Sequence, residues 1–109
     1  MSSAFGDMGN LLKQAQKMQR DLELAREELK TSRVTGTAGG GVVSVDADGD
    51  GQILAVRIQA SVFGGAAGDA SMLEDLVLAA ARDAFAKAAT LRQERLSRIS
   101  GGLNLPGLY

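Results

Sequence analysis

The chain has 109 residues, enough for one small domain, and balances 12 Lys and Arg against 13 Asp and Glu for a net charge of −1. It contains neither Cys nor His, which excludes a disulfide framework and a thiolate metal site and removes the commonest general base. Aromatic residues make up only 4% and Trp is absent. The core must come from Ala, Val, Leu and Met, so a chain this small gains from a partner.

Residues 1–7 read as a tail without a basic or apolar leader pattern, and no apolar run is long enough to span a membrane. A cytoplasmic protein is expected. Met8, Leu11, Ala15, Met18, Leu22, Ala25 and Leu29 then recur at alternating steps of 3 and 4. That is the rhythm of a coiled-coil seam, on a helix capped by Asp7 or Asn10. The residues between are mostly charged or amide-bearing, so the apolar stripe is narrow and needs either the rest of the chain or a second copy against it. Lys13, Lys17 and Arg20 lie opposite the seam at i, i+4 and i+7, with Gln14 beside them and no acid between Asp7 and Asp21. They form a cationic stripe. Beyond it Glu23, Glu27 and Glu28 mix with Arg26 and Lys30.

The helical pattern stops near Thr31. Arg33 to Thr37 reads as a short β-rich run ended by Gly36 and the Gly39-Gly40-Gly41 cluster, with Gly36 to Gly41 a loop of positive-φ positions. Val42 to Ala47 places Val43, Val45 and Ala47 on one face, and Asp48-Gly49-Asp50-Gly51 is a hairpin turn. Ile53 to Gln59 sets Leu54, Val56 and Ile58 against Ala55, Arg57 and Gln59. The three strands form an antiparallel meander with one apolar face for a helix to cover. Ala60 to Ala70 reads as a loop. Ser71 and Glu74 match a capping box at the entry of a second helix. Its apolar side carries Leu73, Leu76, Val77, Ala80, Ala84, Ala88, Leu91 and Ile99. Its second half is basic, with Arg92, Arg95 and Arg98 as further cations that also complement the helix dipole. Gly101-Gly102 ends the helix, and residues 103–109 read as a second tail.

Asp46-x-Asp48-x-Asp50-Gly51 has the opening of a calcium loop, but Arg57 stands where the bidentate Glu belongs and the flanks read as strands. The glycine cluster at 36–41 lacks the Gly-Lys-Ser/Thr ending of a phosphate loop. No catalytic constellation, metal site or cofactor motif emerges, and an enzyme is not expected.

Asn10-Leu11-Leu12-Lys13-Gln14-Ala15-Gln16-Lys17-Met18-Gln19 resembles the signature of the YbaB/EbfC family of nucleoid-associated proteins. Val34-Thr35-Gly36 with Gly39, Gly41 and Val43 is similar to it too. So are Met72-Leu73-Glu74-Asp75-Leu76-Val77 and Ser100-Gly101-Gly102-Leu103-Asn104-Leu105-Pro106. The resemblance spans nearly the whole chain. It implies one α+β domain over 1–109, with a long N-terminal helix, a three-stranded antiparallel meander and a long C-terminal helix. It further implies an intertwined, tweezer-like homodimer that binds duplex DNA with broad sequence preference and needs no cofactor. Together with the cationic stripe, it makes Lys13, Gln14, Lys17 and Arg20 the expected DNA contacts, followed by Arg92, Arg95 and Arg98. The seam from Met8 to Leu29 is the expected dimer or packing surface. A homodimeric module that binds another protein through its long helix is the alternative that the acidic balance favours.

Overall fold

A computed structural model describes residues 2–63 and 69–100, with side chains over 8–63 and 69–99. Helix α1 runs Ser2–Thr31, followed by strands β1 (Arg33–Ala38), β2 (Val43–Asp48) and β3 (Ile53–Ile58) and helix α2 (Ala70–Ser100). The strands pair antiparallel in the order β1-β2-β3. Helix α1 begins at Ser2, so Asp7 and Asn10 are interior helical positions and not its cap. Gly39–Gly41 closes β1 to β2 in a 3-10 turn with φ of 63°, 72° and 97°. Ala60–Phe63 forms a further 3-10 turn within the stretch expected as loop. The Gly101-Gly102 stop and the 103–109 tail lie outside the described residues.

The core lies between α2 and the first two strands. Val43, Val45 and Ala47 from β2 are fully buried against Ala80 and Ala84 of α2, with Leu73, Leu76 and Val77 packed around them. Alanine along this face lets the helix sit low on the sheet, and β1 accommodates it with a glycine. A Cβ on Gly36 would lie 2.2 Å from the Ala80 carbonyl oxygen and the Ala84 nitrogen, a separation no side chain tolerates. The helix starts at Ala70 and is capped by Asp69, not by the expected Ser71 box: Asp69 Oδ1 accepts the Ser71 N–H at 3.0 Å.

The end of α1 docks onto the same body. Leu29 is 1% exposed and Ala25 6% exposed. The last carbonyls of α1 are satisfied locally, because Thr31 and Ser32 hydroxyls donate to Glu28 O and the Gly49 N–H donates to Leu29 O at 2.8 Å. The β2–β3 turn is itself tied down. Asp48 Oδ1 accepts the N–H groups of Asp50 and Gln52, each at 2.9 Å. These contacts give the aspartate-rich turn a structural task.

The β2–β3 register corrects the simple alternation expected of β3. Val43 faces Ile58 and Val45 faces Val56, but the pairing shifts between Asp46 and Ala47 so that Ala47 faces Ile53. Ile53, Val56 and Ile58 therefore share the face of the buried β2 residues, and Leu54 is the extra residue of the irregularity.

Candidate nucleic-acid interface

Helix α1 runs antiparallel to α2 and, among the described residues, packs against it near its own C-terminal end. Arg95 Nη1 donates to Glu28 Oε2 at 2.7 Å, and Asp21, Leu24, Ala25 and Glu28 line a crevice of about 270 Å³ with Arg95, Arg98 and Ile99. Asp21 is thus level with the last turn of α2, and the α1 segment from Met8 to Arg20 projects beyond the body as an arm. The seam changes character along its length. Ala25 and Leu29 are buried, Met18 and Leu22 are half-buried, and Met8 and Leu11 are 66% and 64% exposed.

Lys13, Gln14, Lys17 and Arg20 all lie on this arm and are exposed. At 100° per residue the three cations occupy roughly 60° of arc, opposite the apolar seam. Asp21 comes closer to the stripe than its spacing suggested. Its carboxylate lies 3.9 Å from Lys17 Nζ, a loose i, i+4 pair that leaves the Lys17 side chain 73% exposed. Such a pair holds a lysine weakly.

The cations of α2 are differently placed. Arg95 is engaged by Glu28, and Arg92 Nη1 donates to the Asp50 carbonyl of the hairpin turn at 3.4 Å. Both help hold elements of the body together. Arg98 is exposed at the mouth of the crevice. The structure therefore does not bring Arg92, Arg95 and Arg98 together with Lys13, Lys17 and Arg20 into one surface of one protomer.

Two further charged groups had no assigned role in the sequence. Asp83 Oδ2 accepts the Thr37 N–H at 3.0 Å, and Lys87 Nζ donates to the Thr35 carbonyl at 2.9 Å. The two side chains also pair with each other at 3.2 Å. The Thr37 N–H and then Lys87 hold the Asp83 carboxyl below its ordinary range. On the outer face of the sheet, Asp46 accepts two hydrogen bonds from the Arg57 guanidinium and one from the Thr35 hydroxyl. Arg57 first, then Thr35, lowers the Asp46 pKa. Asp46, Asp48 and Asp50 are thereby separated into different tasks, and among the described residues no cluster of acidic side chains is placed to hold a metal ion.

The profile of the YbaB/EbfC DNA-binding family matches residues 5–103. A nucleoid-associated protein of Acetivibrio thermocellus is 46% identical over 105 residues, covering 95% of this chain and 91% of the relative. One from Ruminiclostridium cellulolyticum is 40% identical over 105 residues, with 95% and 90% covered. The crystal structure of an uncharacterised protein from Helicobacter pylori superposes with a TM-score of 0.70 at 24% identity, over 89% of this chain and 97% of that one, a likeness of fold.

Proposed function

Because the chain belongs to the YbaB/EbfC DNA-binding family, we propose that it is a nucleoid-associated protein of the cytoplasm that binds duplex DNA as a homodimer, chiefly through phosphate contacts. The observation that carries this reading is the arm. Lys13, Lys17 and Arg20 stand on its exposed side, beyond the body and opposite the apolar seam. Flexible cations on a rigid rod suit phosphates, which supply affinity and position without reporting base sequence. Gln14 adds a hydrogen-bond donor beside them. Among the second group, Arg98 is the best candidate, since Arg92 and Arg95 already serve internal contacts.

The homodimer is supported by what one protomer leaves uncovered. The arm carries Met8, Leu11 and Leu12 more than 60% exposed, and β3 carries Ile53, Leu54 and Val56 at 44–46%. Two copies also double the cations of the arm.

The test is a gel-shift titration on nonspecific duplex DNA at increasing salt. Six cations from two arms set a limiting log–log salt slope of about −5. Lys17→Ala removes one cation per arm and flattens the slope by up to about 2 units, equally for unrelated DNA sequences. Lys30→Ala, beyond the cationic stripe, serves as the control and changes the slope much less. Equal effects from both variants would mean that only total charge matters. No shift even at low salt would defeat the DNA reading and favour a helix that binds protein.

A further inference from the structure

We infer that the β2–β3 turn is the socket that fixes the direction of the α1 arm, with Gly49 as its positioning residue, so that Lys13, Lys17 and Arg20 reach duplex DNA together. This rests on the DNA reading above and assigns what aims the cations.

The end of α1 and the turn meet backbone to backbone. The Gly49 N–H donates to the Leu29 carbonyl at 2.8 Å, an acceptor that the last helical turn leaves open. A Cβ on Gly49 would lie 2.7 Å from Leu29 Cδ2 and from Leu29 O, and 2.9 Å from Leu29 Cα. The φ of Gly49 lies outside the left-handed range that Gly51 occupies at 88°. Glycine is therefore required at 49 by the approach of α1 and not by the turn itself. The turn is in turn fixed from within and from α2. Asp48, buried, accepts the N–H groups of Asp50 and Gln52 on one carboxylate oxygen, and Arg92 donates to the Asp50 carbonyl at 3.4 Å. Three residues on, Arg95 reaches Glu28 of α1 at 2.7 Å. That ion pair is open to water, with the Glu28 side chain 63% exposed, so it holds weakly. The wholly buried Leu29 on Gly49 is the fixed point.

The length of the arm turns this seat into an aiming device. A tilt of about 10° at Leu29 moves Lys13 by roughly 4 Å over the ~24 Å of helix between them. That displacement matches the axial rise of about 3.4 Å from one phosphate of a strand to the next. A shift at the socket thus slides the cationic stripe out of step with the phosphates while leaving every charge in place. The six cations of two arms act together only while both arms keep their direction.

The experiment uses the full chain, whose lack of cysteine allows nitroxide labels at Gln16→Cys on the arm and Gln93→Cys on α2, both exposed. Pulsed electron spin resonance, with labelled chain diluted in unlabelled, reads the distance between the two labels of one protomer. Gly49→Ala is expected to shift or broaden that distance by several ångströms. It changes no charge, yet its gel-shift salt slope is expected to flatten from about −5 towards about −3, as for three phosphates engaged and not six. Val43→Ala is the control. It is also neutral and costs stability by emptying buried volume, but at the far end of β2 from the turn, so distance and slope stay as in wild type. The socket is overturned if Gly49→Ala keeps the wild-type distance, or if Val43→Ala changes it equally. A displaced arm with an unchanged salt slope overturns its part in DNA binding. Should Gly49→Ala not fold, Leu29→Val, which is neutral and shortens the side chain seated on the turn, is read in the same two ways. Wild type that shifts no DNA at low salt defeats the DNA reading, and the label distances still decide the socket.

Discussion

At one edge of the sheet, the Thr35 carbonyl and the Thr37 N–H of β1 are taken up by Lys87 and Asp83 from α2. At the other edge, β3 carries exposed Ile53, Leu54 and Val56, and among the described residues α2 packs chiefly on β1 and β2. The difference arises from the seat of α2. Gly36 lets the helix backbone settle directly on β1, and this brings the flank of α2 that carries Asp83 and Lys87 within reach of the β1 edge. The sheet is wider than the one helix placed over it. The covered edge is closed by charged side chains, and the uncovered one keeps apolar side chains exposed. A small aromatic-poor chain thus combines a packed body over β1 and β2 with an open third strand, and the arm of α1 carries the cations of the stripe.

The comparison breaks most severely at Gly36. Gly36→Ala puts a methyl group into the backbone of α2, which must lift from β1. The expected cost is about 3 kcal/mol or more in urea denaturation, as for other overpacked sites without room to relax. A variant within experimental error of wild type would show that α2 does not depend on this close approach.

A smaller effect is expected from opening the β1 edge while leaving the helix seated. The double variant Asp83→Ala, Lys87→Ala uncovers the Thr35 carbonyl and the Thr37 N–H. It should melt at lower temperature and associate beyond the wild-type oligomer as concentration rises, measured by calorimetry and light scattering. If its size and melting match wild type, the two side chains are not what keeps β1 from pairing.

The smallest effect sharpens the comparison by pH. Asp83 and Asp46 both have carboxyl pKa values lowered from an ordinary 3.8, by the Thr37 N–H and by Arg57 respectively as the leading cause. A depressed folded pKa means that the stabilisation is fully present above about pH 4. It is lost as pH falls through the ordinary value to the folded ones. Asp83→Asn should flatten this acid limb of the stability curve and leave stability between pH 6 and 8 less pH-sensitive than the limb itself. An acid limb identical to wild type would remove Asp83 as a contributor.

Much of this architecture was legible from the residues. The 3-4 spacing from Met8 to Leu29 marks a helix, and Val43, Val45 and Ala47 mark a strand face. Asp48-Gly49-Asp50-Gly51 marks the hairpin, because each signal depends on neighbours within one or two turns of chain. The departures are equally specific. Asp69 caps α2 ahead of the Ser71-Glu74 pattern, one of two competent caps lying two residues apart. The register shift at Asp46 and Ala47 moves Ile53 to the inner face, which no alternation of side chains announces. On the candidate interface, the exposure of Lys13, Lys17 and Arg20 followed from the helix period. The engagement of Arg95 by Glu28 spans 67 residues of sequence and did not.

Local periodicity and composition are enough to specify two long amphipathic helices, a three-stranded meander and a cationic stripe, because helix and strand geometry place those side chains without reference to distant chain. Which charges become structural and which remain available depends on docking. Asp83 and Lys87 look like an ordinary i, i+4 pair on a helix until α2 settles on Gly36 and brings them to a strand edge 46 to 52 residues away. Likewise, nothing local distinguishes Val56 from Val45. One is buried and the other exposed because α2 spans two strands of the three, and the width of a helix against a sheet is settled only when the layers pack.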